Sequence, residues 1–373
     1  MSEYQYYEFR AIDRPLTETQ QSRISALSSR AHVTSHMASF VYNYGDFRGN
    51  IGQLMRDYFD AMVYMANWGS RRLMFRIPLS LIDMKKVERY CVSEEINAIA
   101  TKEGVVLDMN FHDDELAEWA EGEGWLDKLV GLRGELIQGD FRVLYLAWLK
   151  AAENTVSADD IDDDTLEPPV PPGLNQFSDS LKTFVSFFGI DEAMLAVAAQ
   201  KSEKREEESL HLEKWVGKLP IEEQHDFLMR LSRAETNLTV HLNRRLHELA
   251  NKAQFPREGG DSGQRTIVKL IQTAEEWRRR KQEDEHCKKE LEQKRRMEEL
   301  AVNEKEVWQQ VEDLIKEKKP KSYDSAIALL KDLRELAEYR GMLKEFNGRI
   351  TEIQQAYSGR PALRDRILHA RLI

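Results

Sequence analysis

The chain has 373 residues, of which 41% are hydrophobic and 32% are charged. This composition excludes a wholly disordered protein, because enough apolar residues are present to bury a core. No apolar run reaches the roughly 18 residues that a membrane span needs, and the opening Met-Ser-Glu-Tyr lacks the pattern of a secretion signal. We therefore expect a cytoplasmic protein that has no membrane partner.

The formal net charge is −11, and it is spread unevenly along the chain. Residues 1–150 carry 17 basic and 22 acidic side chains, residues 151–173 carry 7 acidic and no basic ones, and residues 174–373 carry 37 basic and 36 acidic ones. An anionic first half repels the phosphates of nucleic acid. We therefore expect any contact with nucleic acid to be indirect or weak.

Strand and helix signals alternate through residues 1–153. Thr17 and Gln20 predict a capping box at the start of one helix, and apolar residues at helical spacing predict another over residues 50–68. An apolar helix over residues 139–152 closes this α/β head domain, although the pattern gives no strand order. Aromatic and β-branched runs predict strands over residues 4–12, 39–44, 73–77 and 105–111.

The composition changes abruptly at residues 154–173, which hold five aspartates and four prolines. Proline and clustered like charge favour an extended, solvated path, so this segment is predicted to be either a connector or an acidic peptide that a partner recognises. A helical domain follows over residues 174–254, with Gly189 predicted to end its first helix.

Residues 265–319 are predicted to form one long charged helix. The segment contains neither glycine nor proline and carries 15 basic and 14 acidic residues, so a continuous helix would be about 80 Å long. Its middle has few apolar residues, and acid-to-base pairs four positions apart favour a solvated rod. A two-stranded coiled coil, and hence self-association through this helix, is the alternative.

Apolar residues return at both ends of the predicted helix, and a terminal bundle follows over residues 320–373. We expect Ile267 and Leu270 at one end, and Val311 and Leu314 at the other, to be packing anchors. The bundle is predicted to offer a docking surface for a protein partner around Leu330, Leu333 and Phe346. These elements together predict an α+β fold: an α/β sheet-and-helix domain, then an all-α region with a long charged helix and a small terminal bundle.

The sequence offers few groups with recognisable chemistry. No phosphate-binding loop or dinucleotide fingerprint is present, and we expect no cofactor. The carboxylates Asp108, Asp113 and Asp114 could hold a divalent cation or could form a solvated acidic rim, and the sequence leaves both interpretations open. Possible contacts with nucleic acid on the long helix are the basic residues Arg279, Arg280, Arg295 and Arg296.

Three stretches of the first 200 residues, YQYYEFRAIDRPLT, YFDAMVYMANWGSRRLMFRIP and LEPPVPPGL, resemble shared blocks of a family of bacterial conserved hypothetical proteins with no assigned activity. The tail from Tyr323 to Leu368 is similar to the helical C-terminal segment of bacterial SWIM zinc-finger proteins, although this chain lacks their Cys and His ligands. The resemblance implies a helical docking module and partners such as SWIM proteins or SNF2-type helicases. It also implies a part in handling nucleic acid, for example in defence against foreign DNA.

The leading hypothesis is a non-enzymatic adaptor subunit of a bacterial protein complex. One alternative is a metal-dependent nuclease or phosphodiesterase that uses Asp108 and Asp113. The other is an accessory protein that binds nucleic acid through the long helix.

Overall fold

The structure is a computed structural model that describes residues 3–91, 93–102, 104–117, 121–157, 165–204, 215–233, 238, 241–242, 245–246, 249 and 265–372. The chain divides into two compact units, an N-terminal unit (Met1–Trp277) and a C-terminal unit (Arg278–Ile373). No helix within the described ranges is long and apolar enough to cross a bilayer. The predicted α+β fold class is confirmed, with the strands in the first part of the chain and helices after them.

The N-terminal unit is built on a seven-stranded sheet whose neighbouring strands are all antiparallel, in the order β2-β3-β1-β4-β5-β7-β6. Gly69 has a φ of +92° in the short turn from β4 to β5, and a Cβ atom there would lie 2.0 Å from the Asp113 carbonyl oxygen. Glycine therefore suits this turn. The strands are β1 (Gln5–Arg10), β2 (His32–Val33), β3 (Met37–Tyr42), β4 (Ala61–Ala66), β5 (Ser70–Ile77), β6 (Ile96–Ala100) and β7 (Val105–His112).

Strand β4 corrects the prediction of one helix over residues 50–68. The helix ends at Asp57, and the chain then turns into the strand that pairs with both β1 and β5. Apolar side chains cover both faces of β4, so its sequence has no polar alternation and Met62 and Met65 also fit a helical stripe. The pairing with two neighbouring strands decides the outcome.

Helices cover the two faces of the sheet. One face packs with α1 and α2 around Phe9, Phe40 and Phe59, and the other packs with α4 to α8 around Trp148 and Phe188. The predicted capping box of Thr17 and Gln20 and the stop at Gly189 are both present. Among the described residues up to 233, the helices are α1 (Glu18–Ser25), α2 (Ile51–Asp57), α3 (Met84–Val87), α4 (Trp125–Leu129), α5 (Gly131–Ile137), α6 (Arg142–Ser157), α7 (Asp179–Phe188), α8 (Glu192–Lys201) and α9 (Ile221–Ser232), apart from the short helical piece at 215–216.

The second half of the predicted acidic connector is docked on its own unit. Pro168 and Pro171 are buried and Pro169 is half-buried, the Tyr90 hydroxyl donates to the Pro169 carbonyl, and the Ser202 hydroxyl donates to the Pro171 carbonyl. Proline cannot join a sheet ladder, but its ring adds apolar area and its carbonyl accepts hydrogen bonds, which the expectation of a solvated path did not include. The five aspartates lie outside the described residues.

Helix α10 (Ile267–Val302) has 36 residues and is about 54 Å long, so the predicted helix of 80 Å is interrupted. Asn303, with φ −100° and ψ 10°, separates it from α11 (Glu304–Lys316). The break has no glycine or proline signal, and the apolar face of α11 packs on α12 (Pro320–Tyr339). Helices α13 (Leu343–Ala356) and α14 (Pro361–His369) complete the C-terminal unit.

Candidate functional site

The middle of α10 is a solvent-exposed charged span, defined here as residues 279–296. All of its residues are exposed except Lys281, which is half-buried, and Leu291 is the largest apolar side chain in it, at 67% exposure. Acidic and basic side chains one turn apart, such as His286 and Glu290 at 3.2 Å, pair along its surface. This exposure agrees with the predicted solvated helix.

The four predicted arginine contacts all lie exposed on this span, but they differ in their partners. Arg296 is held by Asp332 of α12 at 2.5 Å, and Arg295 pairs with Glu299 of its own helix at 3.7 Å. Both arginines would have to exchange a carboxylate for a phosphate in order to bind nucleic acid. Arg279 and Arg280 lie at the start of the span.

Of the predicted packing anchors, Ile267, Leu270 and Val311 are buried and Leu314 is half-buried, and the predicted docking residues are buried as well. Ile267 and Leu270 join the core of the N-terminal unit, and Val311, with Leu314 against it, joins the core of the C-terminal unit. Three further residues, Leu330, Leu333 and Phe346, are almost completely buried in this second core. They stabilise the bundle and are unavailable to a partner while it is folded, because their helical stripe packs inward.

A groove with a volume of about 380 Å³ lies between α13 and α14 of the C-terminal unit. Leu363 and Ile367 form its apolar floor, and hydroxyl, amide and guanidinium groups form its rim. Such a lining suits a short peptide segment that places one apolar side chain on the floor and its backbone and a carboxylate at the rim. The rim residues are Thr351, Gln354, Gln355, Tyr357, Ser358 and Arg364.

Asp108 and Asp113, for which the sequence left cation binding open, do not converge. The Asp108 carboxylate accepts two hydrogen bonds from Arg72, from Nε at 2.7 Å and Nη2 at 2.5 Å. Asp113 lies five positions further along an extended chain, about 16 Å away, where its carboxylate accepts from Lys150 Nζ at 2.6 Å. Within the described ranges, no group of three or more His, Cys, Asp or Glu residues is placed to hold a metal ion.

Lys150 and Asp113 form a partly buried ion pair, and each of the two residues shifts the pKa of the other. Burial alone would lower the pKa of Lys150, but the carboxylates of Asp113 and Glu153 outweigh it and raise this pKa. Burial opposes ionisation of Asp113 as well, yet the bonds from Lys150 and from the Glu115 amide lower the pKa of Asp113. Burial raises the pKa of Glu153. The cluster fixes the end of β7 against α6 and leaves Asp113 bound to an ammonium group.

A polar triplet that the sequence analysis missed lies beside this cluster. Ser70 and His112 are opposite each other on β5 and β7, with Oγ and Nδ1 3.1 Å apart, and His112 Nε2 lies 3.2 Å from Asp114 Oδ1. Serine, histidine and aspartate are nucleophile, base and orienting group in many hydrolases. Here the Asp114 side chain is 95% exposed and His112 is more than half exposed, so the triplet lies in water on the rim of the sheet. The sequence gives no sign of this triplet, because only the pairing of β5 with β7 brings Ser70 beside His112.

Two buried ion pairs that join distant segments are also invisible in the sequence. Asp60 is fully buried and accepts from Arg76 at 2.6 Å and from the backbone amides of Ile12 and Asp13. Arg265 forms a second buried pair with Glu167. Every oxygen of Asp60 and Glu167 has a partner, so both pairs are structural connections.

Compared with known proteins, the chain matches no family model, no curated protein and no solved structure. The resemblance to conserved hypothetical proteins and to the tails of SWIM zinc-finger proteins therefore stays a prediction.

Proposed function

We propose that this chain is a non-enzymatic adaptor of a bacterial protein complex, located in the cytoplasm. The observation that supports this role is that each unit has its own hydrophobic core while the charged span of α10 is solvated. A helix that buries nothing along this span contributes little to either core. Two separately cored units with a solvated helical segment suit a protein that binds different partners at different places.

The C-terminal unit is the part that we propose to bind a protein partner, through the groove between α13 and α14. Its mixture of an apolar floor with amide, hydroxyl and guanidinium groups favours a peptide over an apolar small molecule. A helicase-like or SWIM zinc-finger protein is the proposed partner, and a nucleic-acid-handling or antiviral defence complex is the proposed setting. Both suggestions rest on the sequence resemblance alone.

Affinity purification from the native host, followed by mass spectrometry, tests this proposal. The tagged full-length chain is compared with Gln354→Ala/Arg364→Glu, which changes the groove rim, and with a control, Lys182→Ala, which changes an exposed residue of the other unit. We expect one protein to be recovered in stoichiometric amount with the wild type and the control and to be lost with the rim variant. Recovery of no protein, or equal recovery with all three, would count against the adaptor role.

Of the two alternatives, binding of nucleic acid retains more support than metal-dependent hydrolysis. The predicted nucleic-acid contacts Arg279 and Arg280 lie on the exposed surface of the charged span, whereas Asp108 and Asp113 each bind a basic side chain and lie apart. A nuclease would require Asp108 to leave Arg72. Degradation of DNA by the wild type with Mg²⁺ or Mn²⁺, abolished by Asp108→Ala, would establish that alternative instead.

A further inference from the structure

Helix α9 (Ile221–Ser232) presents an apolar row to solvent. Ile221, Leu228 and Leu231 are 72%, 61% and 63% exposed, and no residue of this fully described helix is buried. Positions 221, 224, 228 and 231 follow the three-and-four spacing that places side chains along one side of a helix. We call this row the α9 seam. A row of exposed large apolar side chains on a folded protein marks a surface that binds another protein.

The charges on α9 are divided between its ends, and this division indicates the kind of partner. Glu222 and Asp226 lie in the first half and are exposed, whereas Arg230 and Arg233 lie at the end. Asp226 and Arg230 are 3.5 Å apart across one turn, which is a weak surface pair. An antiparallel copy of the same helix would bring each acidic half against a basic half, and a parallel copy would bring like charges together.

We propose that the chain forms a symmetric homodimer in which the α9 helices of two copies pair antiparallel along the α9 seam. A two-fold axis near Leu228 packs this residue against its counterpart and places Leu231 opposite Gln224 of the other copy. The Gln224 amide already donates to the Leu219 carbonyl at 2.7 Å, so the polar seam position is partly satisfied within its own chain. The proposal does not rest on the adaptor function, because self-association through α9 is independent of the groove in the C-terminal unit.

The oligomeric state of the full-length chain tests this proposal, measured by sedimentation over a wide concentration range. We expect a dimer for the wild type, and for Leu228→Glu/Leu231→Glu a dissociation constant raised by at least about a hundredfold, since central apolar contacts dominate such interfaces. The matched control is Leu291→Glu on α10, an equally exposed leucine, which should leave the dimer intact. Because these leucines are outside the cores, circular dichroism should be unchanged in all variants.

Reversing the charges at one end of α9 tests whether opposite charges on the two copies attract each other. Glu222→Lys/Asp226→Lys and Arg230→Glu/Arg233→Glu should each weaken the homodimer, and an equal mixture of the two variants should form a heterodimer about as tight as the wild type. A wild-type monomer at every concentration would overturn the proposal. So would a dimer that survives Leu228→Glu/Leu231→Glu, a dimer lost in Leu291→Glu, or a mixture that does not associate.

Cysteine cross-linking tests the antiparallel orientation in a Cys287→Ser background, which removes the exposed native thiol. Leu228→Cys should form an intermolecular disulfide rapidly, because the two residues face each other at the axis. Ile221→Cys should not, because seven residues on each side of the axis separate the two thiols by about 21 Å. Rapid disulfide formation at both positions would mean a parallel, in-register pair and would overturn the proposed arrangement.

Discussion

Glu167 and Arg265 are 98 positions apart in the chain and form a buried, bidentate ion pair. Arg265 Nε donates to Oε2 at 2.9 Å and Nη2 to Oε1 at 2.6 Å, while the Tyr145 hydroxyl donates to Oε1 at 2.6 Å. The Glu167 amide also donates to the Arg265 carbonyl. This connection fixes the docked proline segment to the residues that begin α10.

Breaking this pair should cost far more stability than breaking a surface pair. Arg265→Met leaves a buried carboxylate without its cation and should lower the free energy of unfolding by about 3–5 kcal/mol. The double variant Glu167→Gln/Arg265→Met should recover part of that loss, since it no longer buries a charge. Urea unfolding measures both changes. Arg295→Ala, whose pair with Glu299 is exposed, is the control and should change the free energy by less than about 1 kcal/mol.

The fold class and the solvated middle of α10 could be predicted from the sequence because composition and periodicity report burial directly. Three features could not. Strand β4 carries apolar residues on both faces and therefore resembles a helix, and the break at Asn303 has no local signal because packing of α11 on α12 determines it. The docking of Pro168 to Pro171 depends on Tyr90 and Ser202, whose proximity only the tertiary structure provides.

The difference between local sequence pattern and tertiary packing also explains where the predicted site residues lie. Periodicity identified Leu330, Leu333 and Phe346 as one apolar face but could not tell whether it packs inside the bundle or faces a partner. The spacing of Asp108 and Asp113 likewise gave no sign of Arg72 and Lys150, which come from other elements. Local sequence patterns show that a side chain needs a partner without showing which partner it finds.

Leu330 provides a test that separates the core of the C-terminal unit from its groove. Leu330→Ala removes a fully buried side chain and should lower the stability of this unit by about 2–5 kcal/mol. Gln354→Ala/Arg364→Glu should change that stability by less than about 1 kcal/mol, because these side chains line a surface groove. Thermal unfolding followed by circular dichroism measures both. A rim variant as unstable as Leu330→Ala would mean that the groove is part of the core.

The pair of Asp113 and Lys150 should make stability depend on pH on the acid side. Because the pKa of Asp113 is lower in the folded state, its ionisation stabilises the fold above the unfolded value of about 3.9, and this contribution is lost as the pH falls through the lowered pKa. Asp113→Asn should therefore flatten the loss of stability on acidification. Urea unfolding at a series of pH values measures the slope. Asp114→Asn, at a 95% exposed side chain, is the control and should leave it nearly unchanged.

The two cysteines should react with thiol reagents at very different rates. Burial raises the pKa of Cys91 to about 11, so at pH 8 only about one molecule in a thousand carries its thiolate, the reactive form. Cys287 lies exposed on the charged span and should give the fast phase of reaction. The release of the coloured thiol from a disulfide reagent should show a fast phase of one thiol per chain, which is absent in Cys287→Ser. A slow phase should follow, and its rate should rise about tenfold per pH unit up to pH 11. A single fast phase of two equivalents would contradict this assignment.

The arginines of the charged span allow a decision between indirect and direct contact with nucleic acid. If Arg279, Arg280 and Arg295 touch phosphates, a plot of the logarithm of the binding constant against the logarithm of the salt concentration should be a falling straight line. The triple variant Arg279→Glu/Arg280→Glu/Arg295→Glu should then reduce the slope of this line by roughly 2–3. We expect instead a shallow slope that this variant leaves unchanged, because acidic residues lie among these arginines and Arg295 already pairs with Glu299. Fluorescence anisotropy with a labelled duplex measures the slope. Reversal of the matched acidic residues, Glu283→Arg/Asp284→Arg/Glu290→Arg, should steepen it, which shows that the assay can detect phosphate contacts on this helix.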